Sequence, residues 1–108
     1  MPENRDAMAL GKLILTWDII PKQEQEYFEF VVRDFLPNVQ KLGFQLSDAW
    51  VTVYGDQPQV LVGVIMPSVK EIFQVLGSDE WAELANKLKD FVKNYHQKVT
   101  KASGRFQF

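Results

Sequence analysis

The segment from Gly77 to Gly104, GSDEWAELANKLKDFVKNYHQKVTKASG, constrains the fold most because its residues follow the pattern of one long amphipathic helix. Ser78 is a favourable N-cap, and Asp79 and Glu80 place negative charge at the positive end of the helix dipole. Apolar residues then recur at helical spacing on one face: Trp81, Leu84, Ala85, Leu88, Phe91, Val92, Tyr95, Val99 and Ala102. Lysines in the last turns, followed by Gly104, are typical of a helix end. The pattern predicts a helix from Ser78 to the Gly104 stop.

The first half of the chain alternates between strand and helix patterns. Residues 11–21 are rich in β-branched and aromatic residues and predict a strand that ends at a proline. Residues 23–42 predict a helix with Gly43 as its C-cap, and Pro37 within it predicts a kink near Phe35 and Leu36. Residues 44–54 return to a spacing of two, with one face carrying Phe44, Leu46, Asp48, Trp50, Thr52 and Tyr54.

A hairpin and a second helical region complete the pattern. The sequence GDQP at 55–58 predicts a turn into a strand at 59–66, so that these two strands form a hairpin. Ser68 and Glu71 have the spacing of a capping box and open a short helix that ends at Gly77. Residues 105–108, RFQF, predict a short final strand. The order β-α-β-β-α-α-β predicts an α+β, ferredoxin-like sandwich with a four-stranded antiparallel sheet and its helices on one face.

The predicted strands are apolar on both faces, although the helices cover only one. A sheet face that meets solvent should alternate more clearly between polar and apolar residues. We therefore expect a second copy of the chain to cover the open face about a two-fold axis, as a homodimer. We expect a flexible segment at 1–10 and a single domain at 11–108.

Composition excludes several classes of function. With 108 residues and no cysteine, the chain has neither a disulfide framework nor a thiolate metal site, which fits a cytoplasmic location. A formal net charge of -2 argues against nucleic acid and anionic membranes as partners. No apolar run approaches the length needed to cross a bilayer, and no signal peptide is recognisable. No phosphate loop, nucleophile elbow or metal-ligand cluster is present, so we expect no cofactor and no metal.

The element order, the size and the phrase EIFQVLGSDEWAELANKL at 71–88 resemble the dimeric α+β barrel superfamily. This superfamily includes stress-responsive, NIPSNAP-like, EthD-like and antibiotic-biosynthesis monooxygenase-like proteins. The resemblance implies that two ferredoxin-like sheets close into a barrel and that a cleft between helices and sheet holds a small ligand. Haem-degrading members carry a histidine on the helix after the Ser-Asp-aromatic start, where this chain has Ala85, Asn86 and Lys87. Haem degradation by that arrangement is therefore not expected.

Two residues are candidates for acid-base chemistry. Asp18 lies between Trp17 and Ile19 in the most apolar strand, and a buried carboxyl there would have a raised pKa suited to a general base. Alternatively, Asp18 reaches solvent at the strand end. His96, the only histidine, lies at the edge of the apolar face of the predicted long helix and could shuttle protons near neutral pH. Its alternative is a partly exposed helix residue without a chemical role.

Trp50, Thr52 and Tyr54 share one predicted strand face and offer an aromatic wall with two hydroxyls. They are candidates for binding a small apolar or aromatic organic molecule in a cavity between sheet and helices. Their alternative is a place in the core or the dimer interface. Three functions stay open: a binding protein, a cofactor-independent oxygenase or isomerase with Asp18 or His96 as base and Tyr54 as hydrogen-bond donor, and a structural dimer without ligand.

Overall fold

The computed structural model describes residues 10–52 and 59–102, which form an α+β sandwich. Its elements in chain order are β1 (Leu10–Ile19), α1 (Glu24–Phe30), a π-helical turn (Val31–Phe35), α2 (Leu36–Lys41), β2 (Gln45–Val51), β3 (Val60–Met66), α3 (Val69–Leu76), α4 (Asp79–Leu88) and β4 (Val92–Ala102). The predicted order β-α-β-β-α-α-β is confirmed. Residues 1–9, the predicted 55–58 turn and the predicted 105–108 strand lie outside the described residues.

The four strands form one antiparallel sheet in the order β2-β3-β1-β4, and the helices cover one of its faces. Strand β1 shows how the sequence directs this: Leu13, Leu15 and Trp17 are fully buried under the helices, while the residues between them are half-buried on the other side. Because side chains alternate along a strand, this period of two divides the sheet into a helix-covered face and an open face.

The helix predicted at 23–42 is interrupted where Pro37 requires it. The N–H of Leu36 donates to the carbonyl of Val31, one residue further back than in an α-helix, which makes residues 31–35 a π-helical turn. Proline has no N–H, and its ring collides with the carbonyl four residues earlier, so a wider turn before Pro37 relieves the conflict. Gly43 follows the helix with φ of +106°, a conformation that glycine adopts without strain.

The long helix predicted from Ser78 to Gly104 is wrong beyond Leu88. Ser78 caps α4 as expected, since its Oγ accepts a hydrogen bond from the N–H of Trp81 at 3.2 Å. The chain then turns, and residues 92–102 form β4, which pairs with β1 along its length. The fourth strand is therefore 92–102, where the sequence predicts helix.

A β-bulge explains why β4 has the spacing of a helix. Thr16 pairs with His96 and Asp18 pairs with Lys93, so Asn94 and Tyr95 together oppose the single residue Trp17. Asn94 has φ of +57°, and this extra residue puts Val92 and Tyr95 on the same side of the strand although they are three apart. Apolar residues at 92, 95 and 99 consequently follow helical spacing in a strand.

A second irregularity corrects the predicted face of β2. Leu46 pairs with Val64 on the helix-covered face, whereas Asp48 pairs with Gly63 on the open face. Ser47 is the extra residue between them. Phe44, which precedes β2, is buried in the core, so Phe44 and Leu46 do not share a face with Asp48 and Trp50 as predicted.

Candidate functional site

The open face of the sheet contains three of the residues that the sequence singles out for function, Asp18, Trp50 and His96. The strand register places residues side by side in rows across the sheet, and one row runs from β2 to β4 as Trp50, Leu61, Thr16 and His96. Adjacent strands lie about 4.8 Å apart, so this row spans about 14 Å. We define the open face by these positions: Lys12, Ile14, Thr16, Asp18, Gln45, Asp48, Trp50, Leu61, Gly63, Ile65, Lys93, His96, Lys98 and Thr100.

Asp18 acts as a link between strands, and the raised pKa expected of a buried carboxyl at this position is not found. Its Oδ2 accepts a hydrogen bond from Asn94 Nδ2 at 2.8 Å, and its Oδ1 accepts one from the N–H of Gln59 at 3.0 Å. The Asn94 bond above all, with help from the Gln59 bond and the charge of Lys93, lowers the pKa of Asp18, because these contacts favour the charged form. A lower pKa makes Asp18 a weaker base. The carboxylate instead ties the end of β1 to its neighbours.

His96 lies on β4 and not on a helix. It is exposed on the open face beside Thr16, with the side chain of Lys98 two positions along the same strand. The two alternative candidates for the base, Asp18 and His96, occupy the same face in adjacent rows. Neither is buried beside a cavity.

Trp50 lies on the open face with 65% of its surface exposed, whereas Trp17 and Trp81 are buried. Thr52 follows β2, and its N–H donates to the carbonyl of Gln59 at 2.7 Å. Tyr54 lies outside the described residues. Because Trp50 is on the side away from the helices, it does not line a cavity between sheet and helices, which is where the sequence analysis expects the ligand.

A polar cluster that was not predicted from the sequence lies at the middle of the open face. Lys12 Nζ lies 3.2 Å from Asp48 Oδ2. The Oγ of Ser47 lies 2.9 Å from Asp48 Oδ1 and 3.0 Å from the carbonyl oxygen of Gly63, so it can donate to either. The available signal is Gly63 itself, because an isolated glycine within a strand indicates a bulge or the close approach of another group.

One cavity lies on the helical side of the molecule, between α2 and α4. It has a volume of about 310 Å³ and is lined by Asn38, Lys41, Leu42, Glu80, Glu83, Leu84 and Lys87. None of the candidate site residues that the structure describes lines it. Over residues 10–52 and 59–102, no group of three His, Asp or Glu side chains is placed to hold a metal ion. No helix among the same residues is long and apolar enough to cross a membrane.

Comparison with known proteins identifies the fold. No protein-family model matches the chain, and no curated protein matches it in sequence. Among solved structures, the hydroxynitrile lyase from Passiflora edulis superimposes with a TM-score of 0.72 at 11% identity, over 93% of this chain and 99% of that one. A NIPSNAP-like domain protein from Burkholderia xenovorans gives 0.66 at 14% identity, over 94% and 90% of the two chains.

An ethyl tert-butyl ether (EthD) family protein from Bacillus halodurans gives a TM-score of 0.64 at 14% identity, over 86% of this chain and 97% of that one. At these identities the likeness is one of fold. It extends over most of each chain and matches the resemblance that the sequence indicates. The chain has the ferredoxin-like fold of the NIPSNAP and EthD proteins, which are members of the dimeric α+β barrel superfamily.

Proposed function

We propose that the protein is a homodimer that binds a small apolar or aromatic organic molecule between the open faces of its two sheets. The observation that carries the proposal is the exposure of Trp50 on the open face, in one row with Leu61, Thr16 and His96. An aromatic side chain beside an aliphatic one provides a surface for an apolar ring, and the Thr16 hydroxyl adds a polar group that orients it.

Dimerisation follows from the apolar residues on a face that no described helix covers. Ile14, Leu61 and Ile65 are half-buried at the centre of the open face, and Trp50 lies beside them. Two such sheets packed face to face, about 10 Å apart, would remove these side chains from water. An eight-stranded barrel formed in this way is also wide enough for one small ligand.

Sedimentation velocity at low micromolar concentration tests the dimer. Wild type is expected at twice the chain mass, and Leu61→Glu is expected at the chain mass because it places a charge in the centre of the interface. Val32→Glu is the matched control, since Val32 is an exposed aliphatic residue on the helical side and should leave the dimer intact. A wild-type monomer with an unchanged circular dichroism spectrum would refute the proposal.

Binding is tested with a panel of small aromatic compounds by ligand-observed NMR. Trp50→Ala should abolish the signal, because its ring forms the exposed aromatic surface of the row. Phe73→Ala is the matched control: Phe73 is 58% exposed on α3, away from the open face. If Trp50→Ala binds like wild type, the aromatic residue belongs to the interface alone and the chain is a structural dimer.

A cofactor-independent oxygenase or isomerase is the second candidate, favoured by the position of His96 in the same row as Trp50. The first substrates to assay are activated aromatic and keto compounds. A hydroxynitrile lyase shares this fold, so an aromatic cyanohydrin is assayed beside them, and its cleavage would indicate a lyase instead. In this reading His96 acts as the base, and the lowered pKa of Asp18 makes that residue the weaker choice. His96→Ala should then reduce turnover by about 10² to 10⁴ while binding persists. Equal turnover in His96→Ala and wild type would exclude this role.

A further inference from the structure

Charge on the open face is graded from one sheet edge to the other. At one edge of the sheet, strand β2 places the carboxylate of Asp48 on the open face. The opposite edge strand, β4, presents Lys93, His96 and Lys98. Asp18 is the second carboxylate of the face, but it is held near β4 by Asn94 and lies close to Lys93. The open face thus carries the Asp48 carboxylate, paired with Lys12, towards β2 and an excess of basic side chains towards β4.

The acidic end of this gradient is built by three local features. The bulge at Ser47 turns Asp48 onto the open face, and the Ser47 hydroxyl lies within hydrogen-bonding distance of its carboxylate. Gly63 leaves room for that carboxylate, since a methyl group there would overlap Asp48 and lie 2.9 Å from Lys12 Cε. Lys12 then fixes the carboxylate from the far side of β3. Asp48 is therefore held in a defined position.

The basic end of the same row is unpaired. Asp48, Gly63, Ile14 and Lys98 lie side by side across the four strands. Lys98 is exposed and makes no ion pair among the described residues. Gly63 is the middle residue of β3, so the row crosses the centre of the open face. A two-fold axis between identical surfaces passes near the centre of their interface, so this central row meets the same row of the partner.

Two orientations of the partner are possible for sheets packed with their strands nearly aligned. A two-fold axis along the strands places β2 over β4 of the partner, so that Asp48 faces the partner's Lys98. An axis across the strands places β2 over β2, so that the two Asp48 carboxylates face each other and the basic edges oppose each other. Like charges brought together in an interface weaken it strongly, whereas opposite charges strengthen it and select the orientation.

We propose that Asp48 and Lys98 select the partner and its orientation, so that β2 of one subunit packs across β4 of the other. The partner of this open face is a second copy of the chain, and the inference rests on the homodimer proposed above. Lys12 is a positioning residue because it holds Asp48 towards the partner. Each dimer then contains two equivalent Asp48 to Lys98 contacts, one on either side of the axis.

Charge reversal tests the pairing by sedimentation velocity. Asp48→Lys and Lys98→Asp should each weaken self-association by at least about tenfold, because each variant brings like charges together twice. An equimolar mixture of the two variants should form a heterodimer with about wild-type affinity, since both contacts are then between opposite charges. The double variant Asp48→Lys/Lys98→Asp should self-associate again. Lys70→Asp, on the exposed side of α3, is the control and should behave as wild type.

The outcomes separate this inference from the dimer itself. A monomeric wild type removes the proposed function, and the inference with it. If the wild type is a dimer and the variants Asp48→Lys and Lys98→Asp dimerise equally well, the charge pairing is refuted while the dimer stands. The same holds if the wild type is a dimer and the mixture of these two variants stays monomeric. Circular dichroism of each variant shows whether its strands are formed.

Cross-linking provides a measurement that does not depend on reversed charges. The chain has no native cysteine, so Asp48→Cys and Lys98→Cys introduce single thiols. Facing sheets lie about 10 Å apart, beyond the reach of a disulfide, and a short bismaleimide spans such a gap. The proposed orientation, β2 across β4 of the partner, is supported if a mixture of Asp48→Cys and Lys98→Cys cross-links and Asp48→Cys alone does not. Efficient cross-linking of Asp48→Cys to itself would overturn it.

Discussion

The buried hydrogen bond between Trp17 and Tyr27 gives the sharpest test of how the core is held together. Trp17 Nε1 donates to the Tyr27 hydroxyl at 2.8 Å, and the two side chains are 0% and 2% exposed. Tyr27→Phe keeps the ring, which packs edge-on to Trp17 at a centroid distance of 6.4 Å, and removes the acceptor. The substitution therefore isolates the hydrogen bond from the packing.

The expected loss follows from the position of the donor. Because Trp17 is fully buried, its indole N–H cannot turn to water when the hydroxyl is removed, and it keeps its desolvation penalty without a partner. An unsatisfied buried donor of this kind reduces the free energy of unfolding by about 1 to 3 kcal/mol. For a domain of this size, each kcal/mol lowers Tm by about 4 to 8 °C.

Urea unfolding at fixed protein concentration measures the effect, with fluorescence as the probe. Tyr95→Phe is the matched control: its hydroxyl donates to Gln97 Oε1 at 2.8 Å in an exposed position, where water can replace the partner. We expect the control to lose less than about 0.5 kcal/mol. If Tyr27→Phe is as stable as Tyr95→Phe, the indole N–H finds another partner and the reasoning fails.

Three further predictions concern the sheet and the helix start. Gly11→Ala should lower the free energy of unfolding by about 1 to 3 kcal/mol, measured by thermal unfolding. The added Cβ would lie 2.7 Å from the backbone carbon of Ser68, which cannot rotate away. Asp18→Asn should be less stable than wild type at neutral pH, and the difference should vanish in urea titrations as the pH falls below the lowered pKa of Asp18, since protonation removes the same charge. Ser78→Ala should lose about 1 kcal/mol and Ser78→Asp much less, because only the latter keeps a cap for α4.

Local sequence signals determined most of the fold. Ser68 and Ser78 cap their helices as their spacing predicts, and Pro37 interrupts its helix where its missing N–H requires. The apolar residues of β1 at a spacing of two define the buried side of the sheet. These features depend on neighbours in the chain, so the elements from β1 to α4 and the fold class could be predicted without tertiary contacts.

The two β-bulges were decided only by tertiary structure. The extra residue at Asn94 gives β4 a helical spacing, and its strand character comes from pairing with β1, some 80 residues earlier in the chain. A strand makes its backbone hydrogen bonds with a distant partner, so local periodicity cannot distinguish it from a helix once a bulge shifts the register.

The candidate site shows the same division. The sequence indicated Trp50 and His96 as separate features, but the rows that place them on one face depend on the order β2-β3-β1-β4. The contact of Lys12 with Asp48 joins residues 36 positions apart across a glycine. Asp18 has a lowered pKa because Asn94 of β4 and Gln59, which precedes β3, donate hydrogen bonds to it. Sequence alone determined which side chains are available, whereas the sheet register decided which of them meet, because contacts between strands join residues that are far apart in the chain.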